Sequence, residues 1–259
     1  MLNLAIEAAK SASEILLENF GKITSQDIRE KSKNDFLTYV DEKTENKIIE
    51  IIHDAFPEHS ILAEESGLRD QESDYEWIID PLDGTKNYIS GIPLYAISIA
   101  LRHKNSIEIG VILDPVKNDL FYAQKNEGAF LNGDRIIVSK KMQLGDSLLG
   151  TGFPFKLKKF LPTYLKCFQD IFYQCIGMRR MGAAAIDLAY VAAGHFEGFW
   201  ELGLSPWDMA AGSLLIREAG GKISDFWGGD SFLESGFIVA SNGFIHEDLL
   251  KIIQEHFSE

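Results

Sequence analysis

The segment Trp77-Ile78-Ile79-Asp80-Pro81-Leu82-Asp83-Gly84-Thr85 constrains this chain more than any other. An apolar, strand-like run meets two carboxylates three residues apart, with a proline between them. Pro81 fixes its own φ and disfavours helix at Asp80, so the run is expected to end at Asp80 and turn. That turn aims Asp80 and Asp83 at one point, and the Leu82 carbonyl is free to face the same point. Carboxylates plus a carbonyl are hard oxygen donors, the set preferred by magnesium or manganese. Gly84 permits close backbone approach, and Thr85 opens a short helix whose free N–H groups suit phosphate oxygens. Taken in isolation, Asp80, Asp83 and Thr85 have a rival reading as helix caps.

Two further acidic clusters weigh against capping alone. Glu64-Glu65 follows the apolar run Ile61-Leu62-Ala63, and Trp207-Asp208 opens a helical pattern over 209–219. Each places a carboxylate at the mouth of a rigid element. None of the six histidines falls in these clusters, so no histidine nucleophile is expected. Trp77 and Trp207 read as packing residues behind the carboxylates, and Glu65 as a supporting or solvated neighbour of Glu64.

Apolar spacing predicts amphipathic helices over 2–20 and 44–56, stopped by Gly21 and Pro57. Strands follow at 60–63, 77–79, 95–101, 108–113 and 120–123, with turns at Asp114-Pro115 and Asn132-Gly133. The second half alternates: strand 147–150, helix 157–173, small-residue helix 183–193, strand 196–200, helix 207–219, strand 236–240 and helix 246–257. Lys31-Ser32-Lys33-Asn34-Asp35 reads as a polar loop. The change of pattern near residue 143 divides the chain into lobes 1–143 and 144–259, with the cleft between them as the expected site.

At 259 residues the chain is long enough to bury a core without staples. Its net charge of -14 repels nucleic-acid backbones and anionic membranes, so neither is an expected partner. An anionic substrate is reconciled with that charge if bound cations dominate the site. Cys167 and Cys175 match no zinc spacing and are expected as free thiols in a reducing cytosol. Residues 1–20 carry Glu7, Lys10, Glu14 and Glu18, unlike a signal segment, and no run approaches membrane-spanning length. A cytoplasmic location is the expectation.

The residues from Asp80 to Thr85, preceded by Trp77-Ile78-Ile79, resemble the first signature of the inositol monophosphatase family of metal-dependent, lithium-sensitive phosphatases. Trp207-Asp208-Met209-Ala210-Ala211-Gly212, running on to Glu218-Ala219-Gly220-Gly221, resembles the second. Asp41, Glu64-Glu65 and the stretch 179–201 extend the resemblance along nearly the whole chain, and Gly150-Thr151-Gly152-Phe153-Pro154 looks like the bacterial and archaeal form. The resemblance implies a layered αβαβα sandwich, of α/β and α+β character, assembled as a homodimer. It implies two or three Mg²⁺ per site, with Mn²⁺ as a substitute. Glu64, Asp80 and the Leu82 carbonyl match the ligands of one ion; Asp80, Asp83 and Asp208 match those of a second; Glu64 also serves a third.

Thr85 and Asp41 match the pair that orients and deprotonates the attacking water, with Glu64 beside them; for Asp41 the rival is helix capping. Gly84 and Thr85 N–H groups match phosphate contacts, and Ala184 N–H and Glu201 match polyol contacts. Asp83 and Asp208 border the same substrate. Arg179, first of the pair Arg179-Arg180, is the candidate for a second anionic group or a partner subunit.

The leading expectation is hydrolysis of inositol-1-phosphate and related sugar or polyol monophosphates. The alternatives are fructose-1,6-bisphosphatase activity, alone or in addition, then 3′(2′),5′-bisphosphate nucleotidase or histidinol phosphatase. A regulatory binding partner is the non-enzymatic alternative.

Overall fold

Alternation along three consecutive strands sends two sets of apolar side chains to opposite faces, and that division sets the layering. The computed structural model describes residues 1–32 and 35–257. Its elements are α1 (Leu2–Asn19), β1 (Ile28–Ser32), β2 (Asp35–Thr38), α2 (Tyr39–Ala55), β3 (Ser60–Ala63), β4 (Gly67–Arg69), β5 (Tyr75–Asp83), α3 (Thr85–Ile89), β6 (Ala96–His103), β7 (Ser106–Asp114), β8 (Asp119–Gln124), β9 (Gly128–Leu131) and β10 (Asp134–Ile136). Then come β11 (Leu148–Thr151), α4 (Leu161–Phe172), β12 (Gly177–Arg179), α5 (Ala184–Ala192), β13 (Gly198–Leu202), α6 (Pro206–Glu218), β14 (Lys222–Ser224), α7 (Phe232–Ser235), β15 (Phe237–Ser241) and α8 (His246–His256).

Eight strands form one sheet in the order β10-β9-β8-β7-β6-β5-β3-β4, and five form another in the order β12-β11-β13-β15-β14. Strand alternation sends Trp77, Ile79, Ile97, Ile99, Val111 and Leu113 to the face covered by α1 and α2. The opposite face carries Ile78, Ala96, Ala100 and Ile112 against α5 and α6. Those two helices also cover the inner face of the smaller sheet, whose outer face packs on α4 and α8. The order helices, sheet, helices, sheet, helices is the layered αβαβα sandwich. The large sheet is built wholly from residues 60–136 and the small one from 148–241, while the central core draws on both.

Small residues let α6 approach the large sheet closely. A Cβ built on Gly110 would lie 2.7 Å from the Ala211 carbonyl oxygen. That oxygen is backbone and cannot swing aside. Gly110→Ala is therefore expected to destabilise the fold by about 1–3 kcal/mol, the usual cost of overpacking, read as a lower urea midpoint.

The small sheet is closed against α8 by a buried histidine. His246 lies between the Ser224 and Ser241 hydroxyls, each 3.0 Å from one ring nitrogen. Burial, aided by Lys222, pushes its pKa down to about 4. The unfolded chain then binds a proton that the folded chain refuses, so stability is kept above pH ~6.5 and falls as the pH drops toward 4. With allowance for screening the loss is roughly 2 kcal/mol. Denaturation midpoints of His246→Asn should fall less steeply than wild type between pH 6.5 and 4.5.

Several elements depart from the sequence reading. The stretch read as a polar loop carries β1 and β2, paired antiparallel; Lys33 and Asn34 lie outside the described residues. Helix α2 begins at Tyr39, five residues before the apolar spacing starts, because Thr38 caps it. Strand β5 does not stop at Asp80 but runs to Asp83. Cys167 is buried in α4 and Cys175 lies beyond it, both as free thiols. No helix among the described residues is long and apolar enough to cross a membrane.

Candidate active site

In an unbroken strand, residues 80 and 83 would face opposite sides. Along β5 the register against β6 slips between them: Asp80 pairs with Ser98 and Asp83 with Ala96, so three steps on one strand oppose two on the other. This bulge restores the phase. Pro81, which has no N–H to give a ladder, sits inside it. Both carboxylates consequently face α6, while Leu82 turns into the core beneath α1 and α2.

The third carboxylate arrives from α6. Ser205 caps that helix, Pro206 occupies its first turn, and the Asp208 Oδ2 accepts the Ser205 N–H at 2.7 Å. The Trp207 carbonyl takes the Ser98 hydroxyl at 3.0 Å, tying the helix start to β6. One oxygen from each of Asp80, Asp83 and Asp208 lies within 4.8 Å of the others.

Three carboxylates this close, with Asp80 and Asp83 buried, repel one another. Burial, reinforced chiefly by Glu64 and Asp83, holds the Asp80 carboxyl well above its usual range. Burial and then Asp208 push Asp83 up to about 8, although the Ala185 N–H, 2.7 Å from its Oδ2, works the other way. A divalent cation removes that repulsion and prefers oxygen donors of this kind. The residues fit magnesium.

Glu64 belongs to the same electrostatic cluster through Asp80. Its N–H bonds the Ile79 carbonyl at 3.1 Å, which fixes the chain beside the end of β5. The next two N–H groups, of Glu65 and Ser66, donate to the two oxygens of buried Glu45, each at 2.8 Å. Glu45 therefore holds the turn that presents Glu64.

Asp41 is both a cap and a site residue. It stands at the third position of α2, where its Oδ2 accepts the Thr38 N–H at 2.8 Å and the Thr38 hydroxyl at 2.6 Å. Its other oxygen faces the Thr85 hydroxyl at 3.3 Å, and that hydroxyl also lies 3.1 Å from the Leu82 carbonyl. Gly84, between them, has φ +94°, and a Cβ there would meet the Leu94 oxygen at 3.2 Å. Only glycine takes that backbone without strain.

A cavity of about 510 Å³ opens onto these groups. Asp83, Gly84, Thr85, Ala184, Glu201 and Asp208 all line it. Burial pushes the Glu201 carboxyl up to about 8, with Arg180 pulling it back and Asp208 adding to the rise. Its carboxylate lies over Gly152, where a Cβ would fall 1.9 Å from Glu201 Cδ.

Arg179 does not line this cavity. It closes edge strand β12, exposed, with its guanidinium on the Met178 carbonyl at 3.0 Å. Arg180, one residue on and past the strand end, is the arginine at the cavity. Of the pair Arg179-Arg180, it is the second that lines the cavity, while the first lies at the sheet edge.

The sequence reading also passed over Glu45, Lys86 and Asp187. Asp187 is buried in α5, and burial, then Glu201 and Asp83, raise its carboxyl. For Glu45 the signal was present: a charged residue on the apolar face of an amphipathic helix, between Thr44 and Ile48.

The chain is similar to known proteins over its whole length. The curated relative named Nus factor SuhB from Pseudomonas aeruginosa is 47% identical over 261 residues, covering 99% of this chain and 96% of the relative. The protein of the same name from Escherichia coli is 45% identical over 260 residues, covering 100% and 97%. Among solved structures, the extragenic suppressor protein suhB from Bartonella henselae superposes with a TM-score of 0.95 at 38% identity, covering 98% of each chain. An IMPase from Thermotoga maritima superposes with a TM-score of 0.90 at 32% identity, covering 98% of this chain and 96% of that one. The description Inositol monophosphatase family matches residues 1–258, and this chain belongs to that family.

Proposed function

We propose that this protein is a magnesium-dependent phosphatase that hydrolyses inositol-1-phosphate and related sugar or polyol monophosphates. The convergence of Asp80, Asp83 and Asp208 within 4.8 Å, beside the Thr85–Asp41 pair, carries this reading. Glu64, Asp80, the Leu82 carbonyl, Asp83 and Asp208 are the residues that hold the ions. Magnesium supplies Lewis acidity there: it makes water more acidic and neutralises charge on the phosphate oxygens.

The rest falls to the chain itself. The Thr85 hydroxyl, directed at Asp41 Oδ1, orients the attacking water and relays its proton to that carboxylate. The Thr38 N–H and hydroxyl hold Asp41 Oδ2, and its Oδ1 lies 3.3 Å from the Thr85 hydroxyl. The water oxygen bonds to phosphorus as the ester P–O bond breaks in line, with inversion. The N–H groups of Gly84 and Thr85 fix the phosphate, and Ala184 and Glu201 meet the polyol hydroxyls. Carboxylates alone would repel the phosphate, so turnover without a divalent cation is not expected.

The test is phosphate release from inositol-1-phosphate, fructose-1,6-bisphosphate, adenosine 3′,5′-bisphosphate and histidinol phosphate, ranked by kcat/KM. Highest turnover of inositol-1-phosphate supports the proposal; a higher rank for any other ester transfers the substrate assignment to it. The name Nus factor, carried by curated relatives, favours a second reading, in which the folded chain also serves as a binding partner. That name reopens the macromolecular partnership that a charge of -14 disfavours. A folded, magnesium-binding protein that releases no phosphate from any ester supports the partner role over the enzyme.

A further inference from the structure

Behind the cavity wall lies a buried carboxyl that the reaction as described does not use. Two glycines make room for it. Gly150, in β11, and Gly152, just past its end, are two residues apart and face the same side, towards α5. A Cβ at 150 would lie 3.0 Å from Asp187 Oδ1, and one at 152 would overlap the Glu201 carboxylate. Asp187 enters this trough from α5. Glu201 enters it from β13, whose Phe199 and Trp200 pair with Gly150 and Thr151. The two carboxyls therefore take neighbouring places along one trough. Glu201 lines the cavity and Asp187 does not, so Asp187 stands behind it.

A carboxyl this deeply buried ordinarily has its oxygens satisfied. Asp187 Oδ1 has no hydrogen-bond partner among the described residues. A first-turn acid can serve a helix N-terminus in its ionised form, but α5 has no side-chain cap bond. Burial, then Glu201 and Asp83, favour the un-ionised carboxyl against the pull of Arg180. An un-ionised carboxyl has one O–H to donate. Glu201 is the acceptor in the same trough. The helix that carries Asp187 is itself fixed, because the Ala185 N–H donates to Asp83 Oδ2 at 2.7 Å.

We propose that Asp187 is a positioning residue that acts through Glu201: it holds the Glu201 carboxylate at the cavity wall and so sets the preference for phosphate esters of polyols over esters whose carrier has no hydroxyl. This inference rests on the phosphatase reading, in which Glu201 meets the polyol hydroxyls. Gly150 and Gly152 belong to the same device, since a side chain at either position would take the space of one of the two carboxyls.

Inositol-1-phosphate and phenyl phosphate separate this role from a structural one, because only the first offers hydroxyls to Glu201. The measurements are kcat, KM and calorimetric Kd for both esters in magnesium, for wild type, Asp187→Leu and Asp187→Asn. Leucine keeps the approximate shape and removes the polar group; asparagine keeps a donor and an acceptor without charge. The ratio of kcat/KM for inositol-1-phosphate to that for phenyl phosphate should fall about tenfold or more in Asp187→Leu, through KM, with kcat within a few-fold. Asp187→Asn should restore most of the ratio. Glu201→Gln should lower the ratio by itself, and Asp187→Leu should add nothing further in that background. If the leucine variant does not fold, Asp187→Ala is read in the same way. An unchanged ratio, an equal loss on both esters, or additive losses in the double variant overturns the inference. Failure of wild type to hydrolyse either ester overturns the phosphatase reading instead, and the ratio of Kd values then decides the role of Asp187 alone.

Discussion

Asp83→Asn should reduce magnesium-dependent phosphate release on the order of 10³-fold, about 4 kcal/mol of transition-state stabilisation. The substitution removes one charge from the centre of three converging carboxylates and preserves shape. The amide oxygen still accepts the Ala185 N–H that Asp83 Oδ2 accepts at 2.7 Å, so α5 keeps its anchor on β5. The same variant should be more stable than wild type without magnesium at pH 7, by about 1–3 kcal/mol. The sign follows from the raised pKa: with folded Asp83 near 8, the folded chain retains a proton that the unfolded chain has lost above pH ~4. Stability from this group therefore falls as pH rises from about 4 to 8, and the asparagine removes the fall. Magnesium should raise the Tm of wild type strongly and that of the variant little. Loss of activity with lower apo stability would point to a damaged fold instead.

Thr85→Ala should lower kcat about 10²- to 10³-fold while leaving magnesium affinity within a few-fold, the range expected for a group that positions and transfers a proton. The Thr85 hydroxyl lies 3.3 Å from Asp41 Oδ1 and 3.1 Å from the Leu82 carbonyl, so it links Asp41 to the strand that carries Asp80 and Asp83. Thr85→Ser keeps that hydroxyl and should restore most of the rate. Failure of serine to rescue would place the effect in packing rather than in proton transfer. Asp41→Asn should be no more damaging in combination with Thr85→Ala than alone, because residues that act as one unit are not additive. The comparison must use kcat, since Asp41 also anchors the start of α2 and its replacement carries a stability cost.

What the sequence made legible was local chemistry. The run from Trp77 to Thr85 announced a buried strand ending in oxygen donors, and the helices of α1, α5, α6 and α8 were visible in their spacing. The bulge between Asp80 and Asp83 was not, because it exists only in register against β6, and no single strand encodes its partner. The turn expected at Pro81 and the bulge observed there solve the same problem, bringing two carboxylates to one side. The start of α2 was missed because Thr38 and Asp41 form a capping box with an aspartate where a glutamate is the usual signal. Which of Arg179 and Arg180 borders the cavity depends on where β12 ends, which the sequence does not mark. Glu45 was legible as a charge on the apolar face of α2, but its partners were not, since they are backbone N–H groups about twenty residues away in sequence. Short pairings such as β1 with β2 and β9 with β10 lack the length at which alternation becomes readable.

The most direct measurement is phosphate release from inositol-1-phosphate by the wild-type protein across a magnesium titration, with EDTA as the zero point. Saturable release that vanishes in EDTA and returns with added magnesium is the predicted result. Release that is undiminished by EDTA, or none at any magnesium concentration from a folded protein that binds the ion, would contradict the central claim.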